Sequence, residues 1–401
     1  MAAASAPLSI AAMRSLHALT GALAAGLFLA CTAGAVGAAP ITPTRDDEVI
    51  EVLPAAAGDR GEDKRLRRQL AARPEDPALA VSVAQRDLDR ARATGDPRYA
   101  GLALAALRPW PDAATAPAEV LLMRATLQQY LHEFDASVAS LRQLLGRPGE
   151  ASRPQAWLTL ATVLRVQGRY AESDDACRRL AATGADLHAT ACLAENAALR
   201  GNVDAARRSF ETLLARPALP AATQGWLLTS LAELEQRERR GAAADAAYRR
   251  VLAFGPDTYA AVAYADFLID EGRPADALAV LRKEPRTDGV LLRLAIAGDR
   301  ANAPSAAADV AEMRERIAQA NQRPEAKVFH GREQAMFALL EGDAARALAL
   351  ARGNVAQQRE PLDVLLLAEA ARASGDAAAI DEARRLKTTL GLHDRRIDAL
   401  L

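Results

Sequence analysis

Few side chains in this 401-residue sequence are spaced for chemistry. The five histidines, at positions 17, 132, 188, 330 and 393, stand too far apart to form a metal-ligand set by spacing. His330 and Glu333 share one face of a helix; such an imidazole–carboxylate pair is far more often a surface pair than a ligand pair. Cys177 and Cys192 flank a short loop that an oxidising compartment would let close as a disulfide contributing about 3 kcal/mol. The other reading of these two is a pair of small core side chains at helical positions. The chain holds no G-x-x-x-x-G-K-S/T phosphate loop, no G-x-G-x-x-G after a strand, no H-E-x-x-H and no G-x-S-x-G. The expectation is a protein that is not an enzyme and uses no cofactor and no metal.

With no catalytic constellation to place, the elements become the subject. Aromatics are 4% of the chain and hydrophobic residues 50%, much of that alanine, which favours helices packed on small side chains over a β-sandwich. Lys plus Arg number 50 against 51 Asp plus Glu, so no global field draws the chain to nucleic acid or acidic lipid. Acids and bases alternate along the helices, as on a solvated face.

Residues 1–38 differ from all that follows. Met13-Arg14 opens a short basic start, Leu16 to Val36 carries no charge, and Val36-Gly37-Ala38-Ala39 supplies the small residues of a cleavage site. This reads as a signal peptide with Met13 as the start, and places the mature chain in the periplasm of a Gram-negative-type cell or outside it. Two alternatives stay open, a retained membrane anchor and lipidation at Cys31, which follows the lipobox-like Leu27-Phe28-Leu29-Ala30. Residues 39–61, with Pro40, Pro43, Pro54 and the run Asp46-Asp47-Glu48, read as an extended linker.

From 62 to 401 one pattern recurs: an Ala-rich amphipathic stretch, a Gly-polar step, then a second amphipathic stretch ending near Pro or Gly. The steps are Gly95-Asp96, Gly168-Arg169, Gly201-Asn202, Gly272-Arg273, Gly342-Asp343 and Gly375-Asp376, with His132-Glu133 in the same role, and the intervals 95–132, 132–168, 168–201 and 342–375 are 33 to 37 residues. Seven residues before each step stand Leu88, Ala125, Ala161, Ala194, Ala265, Ala335 and Ala368; five after it stand Ala100, Ser137, Ser173, Ala206, Ala277, Ala347 and Ile380. Two columns of small residues are what paired helices need where they cross. About nine helical hairpins follow, with Glu62–Arg73 capping the start and Asp376–Leu390 plus the tail to Leu401 capping the end. Spacing is vague at 285–324, and Arg237–Gly241 reads as a charged extension that delays the turn.

These residues carry a resemblance. Ala156-Trp157, Leu160-Ala161, Gly168-Arg169-Tyr170, Ser173, Cys177 and Leu180 resemble a tetratricopeptide repeat of bacterial exported type, and Ala247 to Pro256 resembles the end of one. The resemblance implies an all-α superhelical solenoid of antiparallel helix pairs, whose concave groove is lined by the first helix of each pair. It puts Gln129, Tyr130, Thr162, Arg165, His188, Glu195, Trp226, Glu233, Arg237, Tyr259, Asp266 and Asp270 on that groove, a surface suited to a peptide or protein partner with some positive charge. Nucleic acid is not expected as a partner, and a membrane only through a lipid anchor or uncleaved leader; a glycan ligand is the alternative. The Asn and Lys pattern that clamps a terminal carboxylate in chaperone-binding members is missing.

Overall fold

The computed structural model describes residues 60–255, 257–322 and 331–401. The leader, Cys31, the linker as far as residue 59, and His330 lie outside the described residues. Residues Asp59–Leu401 form one compact unit.

Among the described residues every regular element is helical. After α1 (Arg60–Ala72), nine antiparallel pairs follow: α2 (Pro77–Thr94) with α3 (Pro97–Ala106), α4 (Ala118–Tyr130) with α5 (Phe134–Leu145), α6 (Pro154–Val166) with α7 (Tyr170–Ala181), α8 (Asp186–Leu199) with α9 (Val203–Leu214), α10 (Ala221–Arg237) with α11 (Gly241–Leu252), α12 (Thr258–Asp270) with α13 (Pro274–Leu281), α14 (Asp288–Arg300) with α15 (Ala306–Asn321), α16 (Gly331–Leu340) with α17 (Ala344–Val355) and α18 (Pro361–Ser374) with α19 (Ala377–Leu390). A short α20 (Arg395–Leu400) ends the chain. Each first helix touches the next, from α2 and α4 through to α16 and α18, which is the stacking of an α-solenoid.

Local chemistry sets the boundaries. Asp76 accepts from the Leu79 amide at 3.1 Å with Pro77 in the first helical turn, and Asp257 accepts from Ala260 at 3.0 Å. The six step glycines all have positive φ, from 68° to 88°. His132 (60°), Arg239 (58°) and Asn302 (51°) hold the same left-handed place without glycine's freedom. Arg239 corrects the expected delay at 237–241. The turn falls on time, and Ala232 and Ala244, both fully buried, complete the two columns there. In the vague stretch, Asn302 makes the turn, and Gly298 lies so close to Ala306 that an added Cβ would sit 3.3 Å from its Cα.

The columns form the seam of each hairpin. Nearly all of their members are buried, and the Ser137 and Ser173 hydroxyls each donate across the seam, at 2.8 Å, to the carbonyls of Ala125 and Ala161. In the last pair the register slips by one: Ala379 is the fully buried residue and Ile380 is only partly covered. Trp157 is likewise partly covered, its indole donating to the Ala151 carbonyl at 2.8 Å, while Leu160 is core. Cys177 on α7 and Cys192 on α8 are joined as a disulfide, with Cα atoms 5.9 Å apart.

The alternating charges are not simply solvated. Arg142–Glu172, Arg273–Asp245, Arg293–Asp266, Arg332–Asp363 and Arg352–Glu382 pair at 2.6 to 3.0 Å over 27 to 31 residues, one repeat apart. They form a ladder between neighbouring hairpins.

The end of the chain departs most from expectation. It returns to the middle of the array instead of only capping it. The Arg359 amide donates to the Val166 carbonyl and the His393 amide to the Leu199 carbonyl, both at 2.7 Å. Val166 and Leu199 are the last residues of α6 and α8, whose carbonyls have no partner within their own helices. Tyr170 and Leu199 share one apolar cluster with Leu348, Leu365 and Leu392. His393 Nε2 lies 2.6 Å from Glu238 and Arg395 lies 3.1 Å from it.

Candidate binding lumen

Because the chain end returns, the concave side of the middle repeats becomes a lumen. A partly open cavity of about 390 Å³ lies between α10, α12, α14, α16 and α18, with Arg396 of α20 reaching in. A smaller one of about 210 Å³ extends it toward α6 and α8; Glu233, Arg237, Tyr259, Glu360 and Pro361 border both.

Of the twelve groove residues expected from the sequence, Glu233, Arg237, Tyr259, Asp266 and Asp270 line the larger cavity, and Arg165, Glu195 and Trp226 line the smaller. Four do not. The Thr162 hydroxyl bonds back to the Leu158 carbonyl at 2.9 Å, and Tyr130 packs on the core between the first hairpins. His188 stacks on Trp226, ring centroids 5.7 Å apart, and like Gln129 borders neither cavity.

Neighbouring first helices are cross-linked along the lumen. Arg165 pairs with Glu195, which accepts from the Ser230 hydroxyl at 2.6 Å, so α6, α8 and α10 are tied in series. The Tyr259 hydroxyl donates to Glu233 at 2.7 Å. Arg293 grips Asp266 with two bonds of 3.0 Å, and Arg332 binds Glu360 at 2.5 Å and Asp363 at 2.7 and 2.9 Å. Tyr259 keeps 66% of its surface, and that surface faces the cavity. Burial pushes Glu233 above the usual carboxylate range, against the pull of the nearby Arg237 charge.

At the far end the balance of charge is different. Burial raises Asp270 to about 6, helped by the Asp266 charge and opposed by Arg396 and Arg300. Burial, then the charge of Asp270, raises Glu369 to about 7. Glu369, Glu360, Arg293, Arg332 and Arg396 were not anticipated from the sequence. The signal for two of them was present: Arg293 and Arg332 stand 27 and 31 residues from Asp266 and Asp363, the spacing of the ladder. Glu369 carried the same signal as Glu195, Glu233 and Asp266, each six residues before its step. Nothing local marked Arg396, which reaches the lumen only because the chain returns.

No family model matches the chain and no curated protein does. Among solved structures it is similar to a Rap protein complexed with competence and sporulation factor, at 9% identity over 85% of this chain and 94% of that one, with a TM-score of 0.49. It is similar also to a tetratricopeptide repeat protein from Parabacteroides merdae (13% identity, 71% and 97% covered, TM-score 0.32) and to a human IFIT1 dimer with PPP-AAAA (13% identity, 79% and 73% covered, TM-score 0.45).

Proposed function

We propose that this chain is an exported, non-catalytic interaction scaffold whose lumen takes a short segment of a protein or peptide partner. The observation that carries the reading is the lumen itself: a charged space walled by first helices, with a large aromatic surface, Tyr259, turned into it. Its size suits a chain end or a few side chains, not a whole helix. The larger cavity has no histidine, cysteine, serine or threonine in its lining, and no set of three metal-binding side chains stands together among the described residues. Binding chemistry is therefore favoured over serine- or cysteine-type nucleophilic catalysis and over metal-assisted catalysis. Export rests on the leader at 1–38 and agrees with the Cys177–Cys192 disulfide, since such bonds persist in oxidising compartments.

The reading is tested by placing a photo-crosslinking phenylalanine analogue at Tyr259 and, as a control, at Phe254, which is 48% exposed but outside the lumen. A discrete protein adduct from position 259 and none from 254 is expected; equal labelling, or none at 259, contradicts a lumen-bound partner. Mass measurement of the mature amino terminus tests export in the same preparation, where a start at Ala39 is expected and an intact leader or a lipid on Cys31 overturns simple cleavage.

A further inference from the structure

The arginines at the far end of the larger cavity are committed elsewhere. Arg293 holds Asp266, Arg332 holds Glu360 and Asp363, Arg396 holds Asp394 at 3.0 and 2.6 Å, and Arg300 donates to the Ile269 carbonyl at 3.2 Å. Two carboxylates lining the same space, Asp270 at the end of α12 and Glu369 on α18, form no ion pair with any of them. The neutral Gln236 amide, whose oxygen accepts from the Tyr248 hydroxyl at 2.8 Å, draws the Asp270 carboxyl down a little without supplying an opposite charge. Val262, Ile296, Met336 and Leu339 supply apolar wall beside them. Two carboxylates facing one cavity, Asp270 exposed to it and Glu369 half-buried, with the far-end arginines spoken for and an apolar approach, suit a group that is cationic at its tip and aliphatic along its stem.

We propose that Asp270 and Glu369 form a recognition site for an ammonium or guanidinium group on a flexible apolar stem, the chemistry shared by a Lys or Arg side chain and a free alkyl polyamine. This rests on the lumen as the binding surface and names what it selects. A bare divalent ion is disfavoured, because no third metal-binding side chain among the described residues stands with the pair. Binding of a cation favours the ionised carboxylates, so it releases protons in the range where both groups titrate; Asp266, Arg300 and Arg396 act on both and fix that range.

Calorimetry on the full chain at pH 8 would compare doubly blocked lysine and arginine (N-acetyl amides), cadaverine, and blocked norleucine, which keeps the stem and lacks the charge. The basic probes should bind at least tenfold more tightly than norleucine, weaken at least tenfold at pH 5.5, and weaken at least tenfold in the Asp270→Asn/Glu369→Gln double variant. Glu369→Gln alone, the milder change, should give a partial loss if the double variant fails to fold. Tighter binding of cadaverine than of either blocked amino acid assigns the site to a free polyamine; the reverse assigns it to a basic side chain. Equal binding of norleucine, unaltered binding by the folded variants, no binding by any basic probe, or displacement by millimolar calcium or magnesium overturns the proposal. A crosslinked partner that the double variant still captures defeats the cation site alone, whereas basic probes that bind where no partner is ever crosslinked defeat the scaffold reading alone.

Discussion

The seams inside the hairpins and the lumen between them are built from the same helices, yet opposite physics governs them. In a seam, alanine or serine meets its partner twelve residues on, buried and dry, and the serines close on backbone carbonyls. In the lumen, the other face of the first helices carries acids, arginines and a tyrosine around open space. A seam is over-determined by local repetition; the lumen depends on where the last two hairpins come to rest. Stability should therefore reside in the seams, and selectivity in the lumen.

The sharpest way to break this contrast is to enlarge one seam. Ala161→Leu puts three extra carbons into a fully buried crossing, and should cost about 3 kcal/mol, read as a lowered midpoint in thermal or urea unfolding. Tyr259→Ala, whose ring already faces open space, should change stability by about 0.5 kcal/mol or less. Comparable losses at both sites would erase the distinction.

A smaller effect sharpens it from the lumen side. Glu369 has its carboxyl raised from 4.5 to about 7 in the folded chain, so the folded state binds more protons than the unfolded one across that window, and stability falls as pH rises through it. Glu369→Gln removes the enclosed charge. The variant should match the parent near pH 4.5 and exceed it by about 1–2 kcal/mol at pH 8. A variant less stable than the parent at pH 8 would mean that Glu369 is held by a cation after all.

Much of the seam was legible in the sequence because it is periodic. Glycine or a polar substitute at the turn and small residues at fixed offsets repeat whatever lies elsewhere in the chain. Reading failed where the cue was a residue type and not a period: Arg239 and Asn302 make the turn without glycine, and in the last seam Ala379, not Ile380, is the buried residue. Of the lumen, eight of the twelve expected residues line a cavity, since the concave face of a first helix is a local property. Glu369, six residues before its step as Asp266 is, could have been found that way; Glu360 and Arg396 could not. Their position follows from tertiary closure, when the orphan carbonyls of Val166 and Leu199 meet the amides of Arg359 and His393.

That closure is the central claim, and amide hydrogen exchange of the full chain tests it most directly. The Arg359 and His393 amides lie outside every helix, yet both should be protected to the level of the α18 core in the parent protein. Protection of the Arg359 amide should fall in Gly168→Ala, whose added methyl meets Leu390 Cδ2 at 2.5 Å beside Arg359, more than in Gly342→Ala, which carries a similar backbone strain and opens onto free space. Exchange of both amides at the rate of an unstructured loop in the parent protein would show that the chain end does not dock, and with it the lumen would be lost.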